Sequence, residues 1–101
     1  MGWAIAYIAK LKNGETVSFR PRGHSMKGKI ESGQLCTVEP IANFEILQKG
    51  DIVLCKVNGN KYLHLIKAVN GARFQIGNNR ERINGWIGAN SIFGKCVKIK
   101  D

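Results

Sequence analysis

The segment Arg20-Pro-Arg-Gly-His-Ser-Met-Lys-Gly-Lys-Ile30 is the most unusual stretch of the chain. It sets Ser25 between Gly23 and Gly28, where backbone can turn sharply and present a hydroxyl. A serine hydroxyl is a weak nucleophile until a neighbouring base takes its proton. The chain contains 2 histidines. His24 adjoins Ser25 and would point away from it, whereas His64 lies 39 residues further on and is free to approach. Together these residue types can attack a carbonyl and pass the proton to imidazole. An ordinary imidazole pKa of ~6.5 suits that role at neutral pH without desolvation. The plainer alternative makes Ser25 a turn serine bonding its own backbone, and His64 a polar residue on the wetter face of a sheet.

Short elements must position these residues. Trp3, Tyr7, Lys10 and Leu11, with Ala4 and Ile8 beside them, recur at the spacing of one helical face, and Asn13-Gly14 supplies a stop. The expected helix covers residues 1–13. Thr16–Arg20 alternates and reads as a strand broken by Pro21 and Gly23. Further strands are expected over 35–39, 51–57, 62–69, 73–76 and 91–99, the last with a bend or bulge at Gly94. The fold class is therefore mainly β with one N-terminal α-helix. Residues 1–101 form one domain, of which 15–101 is the β part.

Asn58-Gly59 and Asn70-Gly71 each fall between strand-like runs, and Asn-Gly favours the tight turns that close hairpins. With two-residue loops, Val57 pairs with Asn60, and Val53 sits opposite His64. By the same count Val69 pairs with Ala72, and Gly77 flanks His64 on its other side. Leu63 and Leu65 then share a face with Ile52 and Leu54. His64 shares the other with Val53, Cys55 and Tyr62, beside the Gly77-Asn78-Asn79 corner.

With 101 residues, 44% hydrophobic and 23% charged, the chain suits a single folded domain with one modest core. No apolar run approaches the ~20 residues of a membrane helix, and the N-terminal stretch lacks the positive start of a secretory signal. Cys36, Cys55 and Cys96 are odd in number and each lies in an apolar run, as expected of small hydrophobes in a reducing, cytoplasmic compartment. There is no CxxC pair, so neither a metal nor another cofactor is expected.

Taken in order, Gly23-His-Ser-Met26, Ile30-Glu-Ser-Gly33, Leu35-Cys-Thr-Val38 and Lys49-Gly-Asp-Ile-Val-Leu54 continue into Tyr62-Leu-His-Leu-Ile-Lys67. Gly77-Asn-Asn79 and Ile92-Phe-Gly-Lys-Cys-Val97 follow. This series resembles the superfamily that joins LexA-type self-cleaving repressors and type I signal peptidases. The resemblance spans about residues 20 to 99 in that family's order and spacing. It implies a compact LexA/signal-peptidase-like β-fold and a serine peptidase, either an endopeptidase or self-cleaving. Ser25 would be the nucleophile and His64 the general base. LexA-type members use lysine as base, and signal peptidases of eukaryotic and archaeal type use histidine. Met26, Arg22 and Lys27 flank the nucleophile as candidate substrate-binding residues.

The departures are specific. Gly28 stands where the family has proline, and Gly33-Gln34 and Gly77-Asn78 replace its Gly-Asp corners. The aspartate that orients the histidine is matched by Asn84, with Asn78 as a second candidate. An Asn can fix the imidazole tautomer but cannot neutralise imidazolium. Asp51 or Glu81 would substitute only if the fold brought it close. Neither a helix-turn-helix nor a membrane anchor is legible, so the expectation is a free-standing catalytic-type domain.

Two other classes compete. A relative without activity would serve as a protein-binding or assembly module, such as a phage-structural or mobile-element component associated with a virion. The second rests on the formal charge of +9. Lys10, Lys12, Arg20, Arg22, Lys27 and Lys29 crowd one third of the chain, and Arg73, Arg80 and Arg82 form another group. These could attract nucleic acid, or, around Ser25, an acidic substrate segment. The helix carrying Trp3, Tyr7 and Leu11 is expected to pack on its own sheet, the alternative being a homo-oligomer contact.

Overall fold

The computed structural model describes residues 2–101, so Met1, the first residue of the expected helix, lies outside it. The elements in chain order are α1 (Ile5–Lys12), β1 (Val17–Phe19), β2 (Leu35–Glu39), β3 (Ile52–Val57), β4 (Asn60–Asn70), β5 (Arg73–Gly77), β6 (Ile83–Gly88) and β7 (Ile92–Lys100). The strands form one sheet in the order β1-β2-β7-β3-β4-β5-β6, and every neighbouring pair is antiparallel. The mainly β class read from the sequence is the class observed.

Side-chain alternation along the strands sends apolar residues to both faces. On one face α1 lays Ala4, Ile8 and Leu11 over Phe19, Cys36, Val38, Leu54, Leu63 and Leu65. The other face buries Val53, Cys55, Val57, Ile66, Phe74, Ile76 and Ile87, with Leu47 and Phe44 beneath the loop before β3. The sheet curls, so that a Cβ at Gly85 of β6 would lie 3.1 Å from Val57 of β3. Helix α1 begins only at Ile5, with Gly2, Trp3 and Ala4 of the expected helix in the turn before it, and stops as expected, with Asn13 as its C-cap and Gly14 at φ 82°. Its buried line is Ala4-Ile8-Leu11. Lys10 is exposed, and Tyr7 stacks on Phe19 at 4.4 Å between ring centres.

The first hairpin follows its dipeptide. Val57 pairs with Asn60 and Val53 with His64, and Asn58 adopts φ 50°. The second does not. Its loop is Gly71-Ala72, with Asn70 opposite Arg73 in place of the expected Val69 opposite Ala72. A bulge at Lys67 then takes back one of the two register steps so introduced, leaving Gly77 opposite Leu65, one residue from the expected His64. Glycine at φ 59° supplies the turn at position 71, and the bulge absorbs the extra residue that keeps Phe74 and Ile76 buried. At Gly94 the expected irregularity occurs: Leu54 pairs with Gly94 but Cys55 with Ile92. A Cβ there would sit 2.7 Å from Val38 Cγ1. Strand β6 was not expected from the sequence.

Candidate active site

Ser25 opens a turn that links β1 to β2. Gly23 enters it at φ 110°, its N–H donating to Ser32 Oγ at 3.1 Å. The turn closes through Lys27 N–H to His24 C=O at 3.1 Å and Ile30 N–H to Met26 C=O at 2.8 Å. The buried side chains of Met26 and Ile30 anchor it to the core. At Gly28 the chain passes at φ 98°, a conformation closed to proline. The Gly28 N–H donates to Glu31 Oε2 at 2.9 Å.

The corner after β5 grips this turn. Asn79 N–H donates to Ser25 C=O at 2.9 Å, and Asn79 Nδ2 donates to Lys27 C=O at 2.8 Å. The corner is itself tied down by Lys67, the bulged residue of β4, whose amine donates to Asn78 C=O at 2.9 Å and Arg80 C=O at 3.2 Å. Ser25 is thereby held beside β4.

His64 is buried on β4, stacked against Tyr62 at 4.7 Å between ring centres. Its Nε2 lies 3.3 Å from Ser25 Oγ, and its Nδ1 lies 2.7 Å from Asn84 Oδ1. An amide oxygen only accepts, so Nδ1 carries the proton and donates to it. Nε2 then has a lone pair for the serine hydroxyl. Asn84 is delivered by a bulge: β6 pairs Gly85 with Ile76 and Ile83 with Gly77, leaving Asn84 without a ladder partner. Burial is the main influence on His64 and lowers its pKa from the ordinary 6.5; Asn84 opposes this and the Arg82 charge adds to it. The ring is kept neutral, the form a base requires.

The structure brings Ser25, His64 and Asn84 together and leaves Asn78 apart. Asn78 Oδ1 accepts from Arg80 N–H at 2.9 Å and Arg82 N–H at 3.2 Å, so it shapes the corner and does not meet the ring. Asp51 is spent on Gln48 N–H at 3.0 Å and Lys95 at 3.6 Å, and Glu81 is exposed. His24 is exposed and contributes only its carbonyl. Lys27 likewise offers its carbonyl to Asn79, while Arg22 and Met26 line the cleft beside Ser25.

That cleft has a volume of about 450 Å³ and runs from Ser25 and His64 past Tyr62 and Leu63 to Phe19 and Trp3. Strand β4 is paired with β3 from residue 60 onward, but with β5 only from Leu65. In an antiparallel ladder closed by a two-residue loop, Asn60, Tyr62 and His64 bond towards β3. Lys61 and Leu63 therefore turn their backbone groups to the open edge, and both residues line the cleft. Among the described residues, the N–H groups of Ser25 and Met26 have no acceptor.

Sequence reasoning put Tyr62 on the face of His64 without reading it as a stacking support, and missed Asn79 as the clamp on Ser25 and Lys67 as the tie behind it. The i, i+2 spacing of Tyr62 and His64 was the available signal for the first. Clamp and tie act through backbone carbonyls, which leave no mark on residue type. Among the described residues no cluster of three His, Cys, Asp or Glu side chains could hold a metal ion, and no helix is long and apolar enough to cross a membrane. No protein-family model matches the chain, and the search of curated proteins finds no match.

Proposed function

We propose that this protein is a serine peptidase-like domain of the LexA/signal-peptidase type, cutting a peptide bond with Ser25 as nucleophile and His64 as general base. The observation that carries the reading is the relay Ser25 Oγ, His64 Nε2, His64 Nδ1, Asn84 Oδ1, at 3.3 and 2.7 Å, set at the mouth of a cleft. Nε2 takes the hydroxyl proton as Oγ attacks the carbonyl carbon, and the oxyanion takes the N–H groups of Ser25 and Met26. The Nε2–H then protonates the leaving amine, and water, deprotonated by the same nitrogen, hydrolyses the acyl-enzyme. Asn84 holds the tautomer throughout but adds no negative charge, so the imidazolium is less stabilised than beside a carboxylate. The open edge at Lys61 and Leu63 suits an extended peptide, which would add a strand there and present its carbonyl to Ser25. A separate substrate and a segment of the same chain are both compatible with that edge.

The second reading is a binding module of the same fold without turnover, favoured by the neutral Asn84 in the orienting position. A fluorophosphonate probe with mass spectrometry of the adduct separates the two. The peptidase reading expects one adduct, on Ser25, lost in Ser25→Ala and reduced in His64→Ala. Folded protein that stays unlabelled and cleaves no peptide would leave the binding module.

A further inference from the structure

The cleft next to the Ser25–His64 pair has an apolar wall and a basic rim. The wall is aromatic: Tyr7 stacks on Phe19 at 4.4 Å, and Trp3 stands 5.7 Å from Phe19 at a 54° tilt. Trp3 is nevertheless 50% exposed, in the turn ahead of a helix whose inner line is fully used in the core. An indole held in a cleft but half wet is apolar surface that a ligand can cover. The rim carries Arg22 and Lys61. Neither is ion-paired, since the one salt bridge among the described residues joins Lys95 and Asp51. Arg20 also lines the cleft, but its Nη1 is committed to Gly33 C=O at 2.9 Å. Glu31 is the one carboxylate there, and its Oε2 is engaged by Gly28 N–H.

We infer that this cleft selects an extended peptide carrying one large apolar side chain, seated against Trp3, Tyr7 and Phe19, with an acidic side chain close by that pairs with Arg22 and Lys61. The volume and the aromatic wall select against a small side chain, which would leave Trp3 wet. The unpaired cations select against a basic one. An aromatic, basic groove can also stack single-stranded nucleic acid. The peptide is favoured because Lys61 and Leu63 offer backbone donors and acceptors at strand spacing, which a nucleic acid cannot use as a strand. The inference refines the peptidase reading by naming its substrate class, yet it concerns binding, which needs no turnover.

The test therefore uses the full chain with Ser25→Ala. Fluorescein-labelled octapeptide pools, each with one position fixed as Phe, Ala, Glu or Lys, are titrated by fluorescence anisotropy. The expected result is Phe over Ala at one position and Glu over Lys at a neighbouring one, each by roughly tenfold in Kd. Adding Trp3→Ala should erase the Phe preference. Arg22→Glu with Lys61→Glu should invert the charge preference, and Trp86→Ala, an exposed residue outside the cleft lining, should keep both. No positional preference, a preference that survives these changes, or tighter binding of a labelled oligothymidylate would overturn the inference. Selective binding without Ser25 labelling in the parent chain would instead sink the peptidase reading alone.

Discussion

Residues 60–64 and 65–70 lie on the same strand, β4, in different surroundings. The first half is paired on one side, in the regular register of its Asn58-Gly59 turn, and carries His64, Tyr62 and the open edge. The second half is paired with β5, meets the β3 side only through Leu65 and Ile66, is bulged at Lys67, and carries no reactive group. The two halves depend on each other. Where β5 ends at Gly77, the chain is freed to give Asn79 N–H to Ser25, and Lys67, at the bulge of the half joined to β5, holds that corner in place. Reactive groups gather on the half whose edge towards the cleft is left unfinished, and the half joined to β5 supplies the corner that fixes them.

The largest effect should come from the unfinished half. His64→Ala is expected to slow acylation of Ser25 by about 10²–10⁴-fold, the usual worth of a general base, with the circular dichroism spectrum unchanged. An equal rate in the variant would mean that Ser25 is not activated by its neighbour. At the end of β5, which joins the second half, the expected loss is of stability. A Cβ at Gly77 would lie 2.5 Å from Arg82 C=O and 3.0 Å from Lys67 Cγ. Gly77→Ala should cost about 1–3 kcal/mol, read as a lowered Tm, because backbone must move to admit it. If Tm held, the corner would be plastic and the division between the halves would fail.

Asn84→Ala removes one hydrogen bond from the ring and should lower the labelling rate by about tenfold or less, matching a bond worth ~0.5–1.5 kcal/mol. The smallest and most informative shift is in pH. Burial lowers the His64 pKa below 6.5, so the parent protein should keep its labelling rate below pH 6.5 before losing it to protonation. The unfolded chain binds that proton near 6.5 while the native ring resists it. Stability contributed by this residue therefore falls as pH drops from 6.5 towards the lowered native value. Asn84→Asp sets a carboxylate beside Nδ1–H and favours imidazolium, so the acid limb should move up in pH. A limb that stayed in place would show that position 84 does not act on the ring.

Much of this arrangement was legible beforehand. Ser25 and His64 stood out by type, and the Asn58-Gly59 turn placed His64 on the face it occupies. The second turn misled because Asn-Gly specifies a bend and not which residues flank it. The burial of Phe74 and Ile76 chose a different loop, and the Lys67 bulge took up the difference. Strand β6 escaped notice for a related reason. Gly85 and Gly88 interrupt it, Ile83 and Trp86 are exposed on an edge, and only Ile87 is buried. Asn84 was found through resemblance, and its delivery by a bulge had no signature in residue type.

The cysteines described with the core have a practical consequence. Cys36 lies in the layer beneath the helix and Cys55 in the layer on the other side of the sheet, both fully buried. Burial is the main cause pushing each thiol up to about 12, so neither forms thiolate at neutral pH in the closed molecule. Alkylation by iodoacetamide can therefore proceed only when a layer opens. Mass spectrometry of the two modified peptides over time would read the opening of each layer separately, from the native protein and without any added label.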